Sequence, residues 1–141
     1  MSEYRTIKTE FDSEGLLVQA LEAICTELGG ELETSLCNDL HLFGWHGQER
    51  PETAQYVIRR KLVGRAANDL GFVQKDDGSF GVIISAFDSG ADEVGRGLHV
   101  LNQVKERYNY LNVTETAFAA GYQVLEDVDD LGQIVLSLVS F

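Results

Sequence analysis

Segments that alternate apolar and polar residues outnumber helical stripes along this chain, and that imbalance limits the folds open to it. Residues 4–11 set Tyr4, Thr6, Lys8 and Glu10 against Arg5, Ile7, Thr9 and Phe11, a two-residue period rich in β-branched and aromatic side chains that predicts a first strand. Asp12 and Ser13 then offer capping oxygens, and Leu17, Ala20, Leu21, Ile24 and Leu28 recur at helical spacing until Gly29-Gly30 ends the pattern, which predicts a helix with one apolar face. Residues 31–36, 40–46 and 55–62 have strand character and are separated by Cys37-Asn38-Asp39 and by Gly47-Gln48-Glu49-Arg50-Pro51, so hairpin connections are expected. Residues 69–75 and 80–87 flank Asp76-Asp77-Gly78-Ser79, and an Asp-Gly step between alternating runs is a strong hairpin signal. Val82, Ile83 and Ile84 are consecutive, which predicts a central strand covered on both faces.

A second helical stripe runs through Val94, Leu98, Leu101, Val104, Tyr108 and Leu111, with a turn or kink expected near residues 109–112 and helix again over 114–120 up to Gly121. Residues 122–128 and 133–141 then read as a final hairpin around Asp129-Asp130-Leu131-Gly132. Two helical regions cannot roof both faces of a parallel sheet. The predicted fold is therefore α+β, a mainly antiparallel sheet covered on one face by two helical regions, as one domain over residues 1–141. The other sheet face needs loops, solvent or a second copy to cover it.

Composition narrows the function. With 23 acidic against 11 basic residues the net charge is -12, which repels phosphate backbones and anionic membranes, so neither nucleic acid nor membrane is an expected partner. No apolar run approaches the roughly 20 residues that span a bilayer, and Met1-Ser2-Glu3-Tyr4-Arg5 lacks the form of a secretion signal. A soluble cytoplasmic protein with reduced thiols is the expectation, since Cys25 and Cys37 make no disulfide framework. The acidic excess serves solubility first, and it also suits a basic partner.

Several side chains are candidates for chemistry. Cys37, His41 and His46 carry metal-ligand atoms, but on a strand His41 and His46 point to opposite sides, so no metal and no cofactor is expected. Arg59, Arg60 and Lys61, with Arg50 and Arg65 near them, concentrate positive charge in an acidic chain. They suit either an anion clamp or a charged strand edge that discourages pairing. Trp45 and Tyr110 are aromatic anchors for a pocket or an interface, whereas Tyr108 on the helical stripe reads as core. Glu126, Asp127, Asp129 and Asp130 cluster around a turn without the ligand spacing of a calcium loop. Residues 90–97 are glycine-rich but match neither a phosphate loop nor a dinucleotide fingerprint, and read as a flexible loop. No nucleophile elbow is present.

Tyr4-Arg5-Thr6-Ile7-Lys8-Thr9, Phe43-Gly44-Trp45-His46-Gly47-Gln48, Val104-Lys105-Glu106-Arg107-Tyr108-Asn109-Tyr110 and Ala119-Ala120-Gly121-Tyr122-Gln123-Val124 follow one another in an order and spacing that resemble a family of cyanobacteria and plastids, the hypothetical chloroplast reading frame thirty-five. The resemblance implies a small intracellular protein with no catalytic residues to carry over and an association with AAA-type ATPases. The residues and the resemblance together lead us to expect a non-catalytic interaction or adaptor module that binds a protein partner, self-associates or engages an AAA-type ATPase, through Trp45, His46, Arg59, Arg60 and Tyr110. The alternatives are a regulatory domain binding a small anionic ligand at Arg59, Arg60 and Trp45, and an enzyme whose site assembles from residues such as His46, His99 and Glu106.

Overall fold

The computed structural model describes residues 4–86, 88 and 96–140. In chain order the elements are β1 (Tyr4–Phe11), α1 (Glu14–Glu27), β2 (Glu33–Thr34), β3 (Leu40–Phe43), β4 (Glu49–Ala54), β5 (Tyr56–Ile58), α2 (Arg60–Val63), β6 (Leu70–Gln74), β7 (Phe80–Ser85), α3 (Arg96–Ala119), β8 (Tyr122–Val128) and β9 (Ile134–Ser140). A five-stranded sheet has the order β1-β7-β6-β5-β2, and every neighbouring pair in it is antiparallel. Two further two-stranded sheets, β3-β4 and β8-β9, lie outside it. The chain is α+β with an antiparallel sheet, as the periodicity predicts.

Both long helices pack on one side of the main sheet. Leu17, Leu21 and Ile24 of α1 and Val100, Leu101 and Val104 of α3 bury against Phe11, Ile58, Phe72, Phe80, Val82 and Ile84. The Ser13 hydroxyl caps α1 by accepting from the Leu16 N–H at 3.3 Å. Tyr108 of α3 is buried, and its hydroxyl accepts from the backbone N–H groups of Asp12 and Ser13 at 3.1 and 3.0 Å, so the later helix secures the entry to the earlier one. At the other end of α1, Gly29 continues the chain beyond the Leu28 C-cap.

The second sheet face is covered by the chain itself. The β3-β4 hairpin folds over it, placing Leu42 and Ala54 on Val57 and Ile83, with Tyr4, Leu40 and Val73 around them. Gly71 of β6 permits this approach, because a Cβ there would stand 3.0 Å from a Leu42 methyl and 3.1 Å from the Ala54 methyl. The fully buried β7, with Val82 and Ile84 on the helical side and Ile83 under the hairpin, is the doubly covered strand expected from its apolar run.

Four expectations are corrected. Residues 31–36 form a strand only at Glu33–Thr34, because the Ser35 hydroxyl turns to Asp39, a local bond that competes with a ladder, and the Asn38 amide makes a tertiary pair with the Gln74 backbone at 3.0 and 3.1 Å. β3 ends at Phe43 rather than His46, since Gly44 N–H donates to Gln48 C=O at 2.9 Å and starts a turn. Glu49, Arg50 and Pro51 open β4 instead of forming a connection, and Pro51 is tolerated because β4 belongs to a sheet of only two strands. Residues 109–112 carry no kink: α3 runs unbroken for 24 residues, with neither proline nor glycine after Gly97 to interrupt it. Most of the expected loop at 90–97 lies outside the described residues, as do Val94 of the helical stripe and the expected strand ends Phe87 and Phe141.

Candidate functional site

At its C-terminal end α3 turns through Gly121, whose φ of 87° suits a residue without a Cβ, directly into β8. The β8-β9 hairpin that follows stands off the body. All its described side chains are exposed except Leu136, which is half-buried, and Val128, Ile134 and Leu131 at the turn end are 61%, 63% and 82% exposed. The register sets Glu126 opposite Leu136 and Val128 opposite Ile134, so these four share one face. That face looks across an open groove of about 980 Å³ toward α3 and the end of α1.

The groove has an apolar part, with Tyr110, Val113, Ile134 and Leu136, and an acidic part, with Glu106 and Glu126. Arg107 is held to Glu27 at 2.5 Å on the same lining. Gln103 adds a buried carbonyl oxygen that has no hydrogen-bond donor among the described residues. Chemically the groove accepts hydrogen bonds and positive charge beside apolar contact.

The basic segment is built differently from its expectation. Arg59 and Arg60 do not lie on a strand edge; Arg59 precedes α2 and Arg60 begins it. The physical reason is Asp69, 1% exposed, whose carboxylate accepts from Arg60 N–H, Phe43 N–H and Arg59 Nη1, each at 2.7 Å. Arg59 also donates to Glu33 at 2.5 and 2.9 Å and to the His41 carbonyl at 2.8 Å, and its guanidinium lies 5.4 Å from the Phe43 ring centre. The hydrogen bond from Arg59 holds the Glu33 carboxyl below its usual range. Burial, followed by the charges of Asp69 and Asp88, pushes the Tyr4 hydroxyl well above the ordinary tyrosine range; it donates to the Phe43 carbonyl at 3.0 Å. Arg59 is thus a tie between β2, β3 and the start of β6, and its donor fork is occupied.

Trp45 and His46 sit in the turn after β3 with ring centres 3.6 Å apart. Arg60 Nη1 donates to the Trp45 carbonyl at 3.2 Å, so Trp45, His46 and Arg60 gather at one surface with Arg59 beneath. Tyr110 belongs to α3 on the helical side of the sheet, whereas β3-β4 covers the other side. The five residues therefore divide between two surfaces. Cys37, His41 and His46 have separate partners: Cys37 donates to Asp39 at 3.4 Å, His41 Nδ1 lies 2.8 Å from the Arg50 carbonyl, and His46 stacks on Trp45. Among the described residues no group of three His, Cys, Asp or Glu is placed to hold a metal. Glu106 lines the groove, while His46 and His99 do not.

Sequence reasoning missed the buried polar network behind Trp45. Asn68 accepts from Trp45 N–H at 2.9 Å, and Asn68, Ser85 and Asp88 bond one another at 2.9 to 3.2 Å. Asn68-Asp69 just before a strand was its only sequence signal. It also missed the groove, whose walls α3 and β8-β9 follow one another in the chain but meet Ile24 and Glu27 of α1 only in the fold.

Among the described residues no helix is long and apolar enough to cross a membrane. No curated protein and no solved structure matches the chain. Residues 26–136, which run from the end of α1 through the groove to Leu136, match the family model described as protein of unknown function (DUF1257), and the chain belongs to that family.

Proposed function

We propose that the chain is a non-catalytic protein-interaction module that takes a basic segment of a partner protein, flanked by apolar residues, into the groove between α3 and the β8-β9 hairpin. One observation carries this reading: the groove joins an apolar lining from Tyr110, Val113, Ile134 and Leu136 to the carboxylates of Glu106 and Glu126 and the donorless oxygen of Gln103. A lysine or arginine flanked by leucine-like residues meets each of these needs at once. The net charge of -12 favours the approach of such a segment at long range and opposes that of nucleic acid. An anion-binding role at Arg59 is the weaker reading, because its fork already serves Glu33 and Asp69.

The finer expectations belong to the same proposal. The resemblance to the reading-frame-thirty-five proteins supports a cytoplasmic or plastid setting and makes an AAA-type ATPase the first partner to try. Fluorescence anisotropy with labelled peptides tests the groove: peptides mixing lysine and leucine bind, their glutamate counterparts do not, and the E106K/E126K variant loses the interaction. Retained peptide binding in that variant removes the groove from the proposal. An AAA-type ATPase that co-purifies with the wild-type chain and not with E106K/E126K identifies the partner class.

A further inference from the structure

The open edge of β9 differs from both outer edges of the main sheet and from the edge of β8. Proteins blunt exposed edges with short strands, charges, proline or bulges. The main sheet follows that rule: β2 at one edge has two residues, and β1 at the other carries Arg5, Lys8 and Glu10 in its sequence. β8 carries Glu126 and Asp127. β9 reads Ile134-Val135-Leu136-Ser137-Leu138-Val139-Ser140, seven residues with no charge, no proline and no glycine. It pairs with β8 at every position from Ile134 to Ser140 and with nothing on its other side among the described residues. A two-stranded hairpin is marginal in water and gains from a third and fourth strand.

The order of residues in β9 says which strand fits. Around Ser137 the strand is a palindrome: leucine on each side, then valine on each side. Asp129 N–H donates to the Gln133 carbonyl at 2.9 Å, so alternation turns the backbone of odd-numbered residues toward β8 and leaves the N–H and C=O groups of Ile134, Leu136, Leu138 and Ser140 on the open side. Two copies related by a two-fold axis through Ser137 then pair antiparallel. Leu136 meets Leu138 of the second copy, Val135 meets Val139, Ile134 meets Ser140, and Ser137 meets itself. The open backbone groups of one copy fall opposite those of the other, and every pairing is reciprocated about the axis, as an isologous interface requires. Charge points the same way, because two chains of -12 each repel, and β9 is an edge along which they meet without placing carboxylates opposite one another.

We infer that the chain self-associates through antiparallel pairing of β9 with β9 of a second copy, joining the two hairpins into a four-stranded sheet. The inference does not depend on a ligand in the groove, and its test uses the full chain alone. Sedimentation velocity over a concentration series is expected to show a dimer. S137D and S137K each place like charges on the axis and are expected to be monomeric, and an equimolar mixture of the two is expected to restore a mixed dimer. In the S137C/C37S variant the two new thiols belong to a non-hydrogen-bonded pair, with Cα atoms about 4.5 Å apart, within disulfide reach. Oxidation is expected to cross-link it. V139C/C37S is expected to stay uncross-linked, since each new thiol then faces Val135 of the other copy. A monomeric wild type, a dimer that persists in both S137D and S137K, or equal cross-linking at positions 137 and 139 overturns the inference. Because no peptide is present, none of these results bears on the groove.

Discussion

Asp69 is the carboxylate on which the β3, α2 and β6 segments meet, and its worth depends on Arg59. Three donors at 2.7 Å reach it, two from backbone and one from the guanidinium, and it is 1% exposed. Arg59→Gln leaves a buried charge with backbone donors only, and removing one partner of a buried pair costs about 3–5 kcal/mol. Urea denaturation at neutral pH is expected to show a loss of that order, part of which D69N recovers in the double variant R59Q/D69N through coupling. A loss below about 1 kcal/mol is the value of an exposed pair and rejects this assignment. The charge run at 59–61 was visible in the sequence, but its role was not, because the partners Glu33 and Asp69 lie 26 and 10 residues away. A local reading weighs neighbours, and these neighbours are made by the fold.

Among the elements, those with complete local signals matched their sequence best. β1 had a two-residue alternation and α1 a helical stripe, and the reversals after Lys75, Ala119 and Val128 carried Gly78, Gly121 and Gly132, all with positive φ. Elements were misplaced where a tertiary bond decided them: α2 starts where Asp69 receives the Arg60 N–H, and β2 is cut short where Asn38 bonds Gln74. Tyr108 shows the same dependence for α1. Its hydroxyl satisfies two N–H groups at the helix entry from 95 and 96 residues away, while its ring packs edge-on to Phe11 at 4.9 Å. Tyr108→Phe keeps the ring and orphans both donors, so a loss of about 1–3 kcal/mol is expected from thermal or urea unfolding. Amide exchange at Asp12 and Ser13 is expected to rise more than at Ile24, whose end of the helix the hydroxyl does not touch. Uniform exchange along α1 contradicts a local anchoring role.

At the scale of the molecule, one charge distribution acts on two binding events with opposite signs. The chain carries -12, so two copies brought together along β9 repel over their whole surfaces even though the paired strands are neutral. Salt shortens the reach of that repulsion, with a Debye length of about 10 Å at 0.1 M, and the dimer is therefore expected to tighten as ionic strength rises. A basic segment entering between Glu106 and Glu126 is drawn in by the same field, and its affinity is expected to fall over the same salt range as attraction is screened. Measuring both on one preparation, sedimentation for the dimer and anisotropy for the peptide, separates the two surfaces without a mutation. If both weaken with salt, self-association runs through oppositely charged patches instead of the uncharged β9 edge. If neither responds, apolar burial alone governs association, and the carboxylates of the groove have no part in choosing its partner.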